Sequence, residues 1–268
     1  MVGLVHDLVV QFQSIQEFNM TTALRASRQM LIASGLLASV AGAQALTVTM
    51  PTSLIDAQAQ FNFSDTASNV MANMGFSVSA LGNTRSVGGS IWNYMMPVTQ
   101  VALDVSLFPW DLSPVSGQAS GSGLLIQGDN GALSLANFGL DFSRNVLTAD
   151  LGTSTGIIKN FDVYSFKVDQ DLHLSTSGGL SMKMSLQNMI LTSGAQAQFA
   201  SALQLEPFAV VILPRLNFGS LDINISPSLR FNVSDKPLIA AVPENSTLLM
   251  LVTGMFGIGF VARHRMVR

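Results

Sequence analysis

The sequence predicts an all-β chain: an antiparallel β-sandwich or barrel-like sheet pair with one short helix, flanked by an N-terminal signal helix and a C-terminal transmembrane helix. Three observations lead there. Between Leu46 and Ala240 the apolar residues recur with a period of two, Gly- and Asn-rich turn signals separate the runs, and each end of the chain carries an apolar stretch beside Arg residues.

The period of two is plainest in Val101, Leu103, Val105 and Leu107, which alternate with Ala102, Asp104 and Ser106. Such spacing describes a strand with one buried face. The same pattern recurs at Phe61 and Phe63, at Phe76 and Val78, at Met182, Met184 and Leu186, and at Leu221, Ile223 and Ile225. Turn signals fall at Asn83, Gly88-Gly89, Gly117 to Gly123, Gly128 to Gly131, Gly152 to Gly156 and Gly178-Gly179. Many short strands spaced this way fit a sandwich or barrel. In Leu133, Leu135, Phe138, Leu140 and Phe142 the parity flips near Asn137, so a β-bulge is expected there. Ser193 to Gln196 reads as a capping box before Ala195, Phe199, Ala202 and Leu203, which have helical spacing. Pro207 should end that helix, and Val210 to Leu213 should return to strand.

Composition suits an exported product. Charged residues make up only 11% of the 268 residues and Cys is absent, which excludes disulfides, thiolate nucleophiles and Cys-ligated metals. The segment 46–240 carries 8 basic and 13 acidic residues. Such a balance offers no phosphate-binding footprint, so no nucleic-acid partner is expected.

From Met20 the chain shows Arg25 and Arg28, an apolar core over 30–41, and Ala43-Gln44-Ala45. These are the three parts of a secretory signal peptide in their required order, with cleavage expected after Ala45 by signal peptidase following passage through the Sec translocon. His6, Asp7 and Glu17 do not suit a signal's leading segment, so Met20 is the expected start and 1–19 an extension. The exported domain is then 46–240.

The other end, 241–268, reads as a stop-transfer signal. An apolar run over 248–262 precedes Arg263, His264, Arg265 and Arg268. At about 1.5 Å per residue the run forms a short membrane helix, with its basic end expected on the cytoplasmic side. Pro243-Glu244, Ser246-Thr247, the glycines 254, 257 and 259, and the Arg end resemble the PEP-CTERM sorting signal of bacterial exported proteins. Asn245 stands where that family's motif has its second Pro. The resemblance implies recognition by a membrane exosortase, processing of the tail, and deployment at the cell surface or in an extracellular, biofilm-type matrix, with exopolysaccharide as a possible partner. The stretches 117–151 and 182–205 also look similar to the β-rich domains of bacterial surface haem-uptake proteins, in a Gly-rich hairpin, a pair of strands and a late short helix. No haem ligand is carried across by that likeness.

Chemistry in the middle is sparse. Gly152-Thr153-Ser154-Thr155-Gly156 matches the nucleophile-elbow string G-x-S-x-G, but a strand-like run follows where the elbow needs a helix, so a hairpin turn is expected. Asp169, Asp171 and His173 alternate along one strand and are the weak candidates for a metal; the plain reading is a solvated strand face. Asp129-Asn130-Gly131 is a turn without the ligand series of a calcium loop. Asp104, Asp111, Asp150 and Glu206 are carboxylates that a glycosidase could use if two converged. Trp92, Tyr94 and Trp110 could stack on sugars, though aromatic side chains bring burial first. The expectation is a non-enzymatic surface domain for adhesion, matrix association or ligand binding, without a cofactor. The alternatives are an exported hydrolase of polysaccharide or ester bonds and a small-ligand or haem-binding surface domain.

Overall fold

The computed structural model describes residues 46–51, 56–107, 110–175, 181–226 and 233–240. The expected signal segment with Ala43 and Ala45, and the expected sorting tail with Pro243, Glu244, Arg263, Arg265 and Arg268, lie outside them. The described residues up to Val105 and from Trp110 onward belong to one compact unit, which holds the sheet. Among the described residues no helix is long and apolar enough to cross a membrane.

The fold is a single antiparallel sheet that curls on itself. In chain order its strands are β1 (Leu46–Pro51), β2 (Asp56–Phe63), β3 (Ser77–Gly82), β4 (Arg85–Ser86), β5 (Asn93–Pro97), β6 (Gln100–Leu107), β7 (Trp110–Gln127), β8 (Ala132–Asp141), β9 (Val146–Thr153), β10 (Gly156–Ser175), β11 (Ser181–Leu191) and β12 (Gly219–Ser226). From β6 to β11 short connections make neighbours in sequence antiparallel neighbours in the sheet; β12, reached through the helical stretch 192–218, pairs with β11 on one side and β2 on the other, and β2 pairs with β5.

The curl returns to its start through one bent segment. Val98 donates its N–H to the Ala57 carbonyl at 2.9 Å, on the β2 side, while Thr99 donates to the Gln118 carbonyl of β7 at 2.6 Å. The hydroxyl of Thr99 also accepts from the Ser120 N–H at 2.9 Å. Two adjacent residues therefore hand the chain from one end of the sheet to the other. This leaves fewer unpaired edges, the liability of open sheets.

The expected bulge is present. Asn137 has φ of +53°, and the ladders slip between Ala119 and Gly123 and between Ala136 and Gly139. The slip lets Leu133, Leu135 and Phe138 all face the core despite their change of parity. Asn tolerates the left-handed region better than other residues with a Cβ.

The helices differ from expectation in number and position. Among the described residues there are three α-helices, α1 (Asp65–Asn73), α2 (Ser193–Ala202) and α3 (Pro207–Ile212), the last running on into a 3-10 turn at Leu213–Arg215. In α1 the Ser64 hydroxyl caps the Ala67 N–H at 3.0 Å, and Ala67 and Met71 are buried. The cap of α2 is Thr192, one residue before the expected Ser193; its hydroxyl accepts from the Ala195 N–H at 3.2 Å and donates to the Asp162 carbonyl at 2.7 Å. Pro207 does not end a helix but opens α3, since Pro lacks an N–H that the first turn could not use anyway. Val210 to Ile212 are thus helical and exposed instead of forming a strand. Phe199 of α2 lies 6.5 Å from Phe218 between ring centres, edge to face, which ties this helical cap to the core.

Candidate functional site

The inner face of the curl encloses an apolar hollow. Its walls come from β2 (Ala59), β5 (Met96), β6 (Leu103), β8 (Phe138), β11 (Met184) and β12 (Ile223), among others. Each of these sits on the inward side of its strand because its parity matches the bulge-corrected pattern. The free space is about 50 Å³. A small-molecule site usually offers about 300 Å³ or more, so a ligand would have to move the wall.

The wall is open where β10 outruns its partner. The ladder between β9 and β10 ends at Val146 and Ser165, with one further bond from the Phe166 N–H to the Asn145 carbonyl at 3.0 Å. The rest of β10 pairs only with β11 among the described residues. Opposite, β8 ends at Asp141, leaving the first residues of β7 without it. Half-buried Leu172, Leu140 and Phe142 line this opening, and Phe142 meets Phe166 edge to face at 5.8 Å. Two exposed apolar side chains, Val168 and Leu174, continue along the free part of β10.

Asp169, Asp171 and His173 lie on this same free stretch, all exposed. Register irregularities between Val168 and Gln170 and between Gln170 and His173 break the simple alternation that the sequence suggests. The His173 ring meets the Asp171 backbone carbonyl at 2.9 Å. Among the described residues no three His, Cys, Asp or Glu side chains are gathered as a metal would need.

The other candidates resolve into structural parts. Ser154 and Thr155 form a two-residue hairpin turn between β9 and β10, so Ser154 is followed by strand and has no helix N-terminus beneath it. Asp150 accepts from the Asn137 side-chain amide at 2.8 Å and from the Asn160 N–H at 2.9 Å. Asp104 accepts from the Thr47 hydroxyl across the β1–β6 pair, and Glu206 stands exposed before α3. The Asp111 and Trp110 side chains lie outside those described. Trp92 packs edge to face on Phe63 at 5.7 Å.

Both tyrosines are buried away from the hollow. Tyr94 directs its hydroxyl at the Ile91 carbonyl at 2.6 Å and the Val78 carbonyl at 2.9 Å, and burial pushes its pKa up to about 12. Burial raises Tyr164 as well, where its ring lies 5.3 Å from Phe218 and 5.9 Å from Phe61. Sequence reasoning missed the hollow itself, since inward apolar residues look alike whether they fill a core or leave a gap.

No family model and no curated protein matches this chain. Two solved structures from Corynebacterium glutamicum resemble it. The C-terminal domain of HtaA overlaps 68% of this chain and 98% of its own, with 14% identity and a TM-score of 0.42. The heme binding protein HtaB overlaps 68% of this chain and 96% of its own, with 8% identity and a TM-score of 0.41.

Proposed function

We propose that this chain is an exported, non-enzymatic surface protein whose β domain binds a slender apolar ligand in the hollow of its curled sheet. Export would run through the Sec translocon and signal peptidase at Ala45, and sorting through an exosortase acting on the tail that bears Pro243 and Glu244. The observation that carries the binding reading is an apolar hollow beside a stretch of wall, β10 beyond Phe166, that pairs on one edge only among the described residues. Acyl or isoprenoid chains match such a lining, which has no group to pair with a charge. Flexible Met96 and Met184 let the walls adapt, since thioether side chains repack at little cost.

A haem is the competing occupant, the ligand that HtaB's own description names for that protein. The residues here do not fit a haem held by Tyr or His. Neither residue lines the hollow, leaving the thioethers of Met96 and Met184 as the only customary iron ligands in its lining.

The test is a fluorescence titration of the full chain in mild detergent with N-phenylnaphthylamine, followed by displacement with palmitate, and a parallel absorbance titration with haem. Saturable dye binding that palmitate reverses, weakened about tenfold or more by Ala59→Leu, supports the reading. Absence of saturable binding, or binding indifferent to Ala59→Leu, overturns it. A stoichiometric haem band with no palmitate competition transfers the site to the competing occupant.

A further inference from the structure

The outer face of the same sheet carries a second, chemically opposite feature. Across five strands the pairing sets outward side chains in one row: Gln170 lies opposite Ser185, Ser185 opposite Asp222, Asp222 opposite Gln60, and Gln60 opposite Met95. A second row runs beside it through Lys183, Asn224 and Gln58. Together they line a groove of about 380 Å³. It is the roomier of the two sites, and it needs no movement of the wall.

The row is held in place by its own hydrogen bonds. Asp222 accepts from the Ser185 hydroxyl at 2.9 Å on one oxygen and from the Asn62 amide at 2.9 Å on the other. Gln60 donates to the Asn62 side-chain carbonyl at 2.7 Å. Such mutual bonding fixes rotamers before any ligand arrives, which lowers the ordering cost of binding. Amide groups both donate and accept, as hydroxyl groups do.

The charge in the groove selects its partner. One cation, Lys183, and one carboxylate, Asp222, stand among uncharged amides and a hydroxyl. A polyanion finds no basic track there. A protein partner would want an apolar centre with aromatic anchors; the groove has no aromatic residue, and of its apolar members Met184 and Ile223 are buried, which leaves Met95 at its surface end. What complements it is a neutral chain dense in hydroxyl groups. Strands lie about 4.8 Å apart, so the row repeats at close to the length of one pyranose unit.

We infer that the outer face of β11, β12, β2 and β5 binds a neutral polysaccharide laid across the strands, at a site separate from the apolar hollow. Sugar hydroxyls take the amides of Gln60 and Asn224 and the carboxylate of Asp222, and the Met95 side chain meets an apolar sugar face.

The experiment is affinity electrophoresis of the full chain in mild detergent through native gels cast with dextran, hydroxyethylcellulose or galactomannan, with alginate as the charged comparison. The expected result is retardation by at least one neutral polymer that persists in high salt. A Gln60→Ala, Asp222→Ala, Asn224→Ala triple variant, checked for folding by circular dichroism and for unchanged dye binding in the hollow, should weaken it about tenfold or more. The inference is overturned by no retardation in any neutral polymer, by retardation equalled by alginate or abolished by salt, or by a folded triple variant that binds as before. Because dye binding reads the hollow alone, failure here and failure of the apolar-ligand reading are told apart.

Discussion

Asn137 clasps Leu238 by both sides of its amide group: its Oδ1 accepts from the Leu238 N–H at 2.7 Å and its Nδ2 donates to the Leu238 carbonyl at 2.7 Å. The same side chain accepts from the Gly121 N–H at 3.1 Å and donates to Asp150 at 2.8 Å. One bulge residue therefore joins β7, β9 and the segment 233–240. Asn83 adds a second hold, donating to the Ser234 carbonyl at 2.8 Å. The end of the segment 233–240 is thereby bound to the sheet at Leu238.

Asn137→Ala should destabilise the fold by about 2–4 kcal/mol, since it unpairs several backbone and side-chain groups and places a Cβ residue without a polar side chain at positive φ. Asn137→Gly keeps the backbone geometry and should lose less. Denaturant melts compare the two, and limited proteolysis should cut both variants between 233 and 240 faster than the parent. Equal stability of all three chains would mean that the clasp contributes nothing.

Acid should loosen the turn between β8 and β9 in a defined window. The Ser143 hydroxyl and Arg144 guanidinium hold the Asp141 carboxyl at about 2, below the usual carboxylate range. Arg144 also reaches Asp162 of β10 at 2.7 Å. Because the folded pKa is depressed, the contribution is complete above the unfolded value near 4 and disappears as pH falls toward about 2. All these groups are exposed enough for solvent to screen them, so the effect is modest. Stability profiles of the parent and Asp141→Asn should converge between about pH 4 and pH 2; parallel profiles through that window would contradict the assignment.

How far the sequence foretells this fold depends on how local each decision is. The strands were legible because inward residues such as Leu221, Ile223 and Ile225 alternate with Asp222 and Asn224, a signal carried within six residues. The bulge at Asn137 was legible for the same reason. In contrast, α3 was hidden because its run of Val210, Val211 and Ile212 favours strand by β-branching, while Pro207 at the first turn decided otherwise. Closure at Val98 and Thr99 depends on Ala57 and Gln118, far away in sequence, and nothing local announces it. The hollow and the outer row were invisible for the same reason, since each exists only once five or more strands are in register.

Gly219 is a position where backbone and packing leave no choice. Its φ is +139°, and a Cβ there would lie 1.9 Å from the Asn62 carbonyl oxygen, an atom of β2 that cannot move without breaking the ladder. Gly219→Ala should cost about 3 kcal/mol or more and lower the yield of folded chain. Gly88→Ala meets nothing within 4 Å although its φ is +62°, and it should be milder. If thermal melts rank the two the other way, the close approach of β12 to β2 is not the constraint.

Export is tested by mass spectrometry of the protein from its native host, with and without a resident exosortase. An N-terminus at Leu46 and loss of the tail near Pro243 and Glu244 are expected in the presence of the enzyme. Retention of Arg263, Arg265 and Arg268 beside a working exosortase would show that Asn245 has disabled the signal. The chain would then remain a membrane-anchored β domain.

The alkaline limit should be set by two residues. Tyr94 and Tyr164 are the only tyrosines of the chain, and both are buried. Burial raises both, Tyr94 to about 12. An unfolded chain loses these protons near pH 10, so the stabilising difference is complete below that value and falls as pH rises through about 12. Ultraviolet titration should therefore show almost no tyrosinate at pH near 11 while the fold persists, then a steep rise that coincides with loss of circular dichroism. Tyr94→Phe separates the proton from the packing: the ring still fills its place beside Phe63, 6.3 Å away, but the Ile91 and Val78 carbonyls lose their donor. A loss of about 1–2 kcal/mol at neutral pH is expected. The alkaline fall should also become shallower, since one of the two protons that drive it is gone. Early tyrosinate absorbance in the folded parent would place at least one of these hydroxyls in contact with solvent.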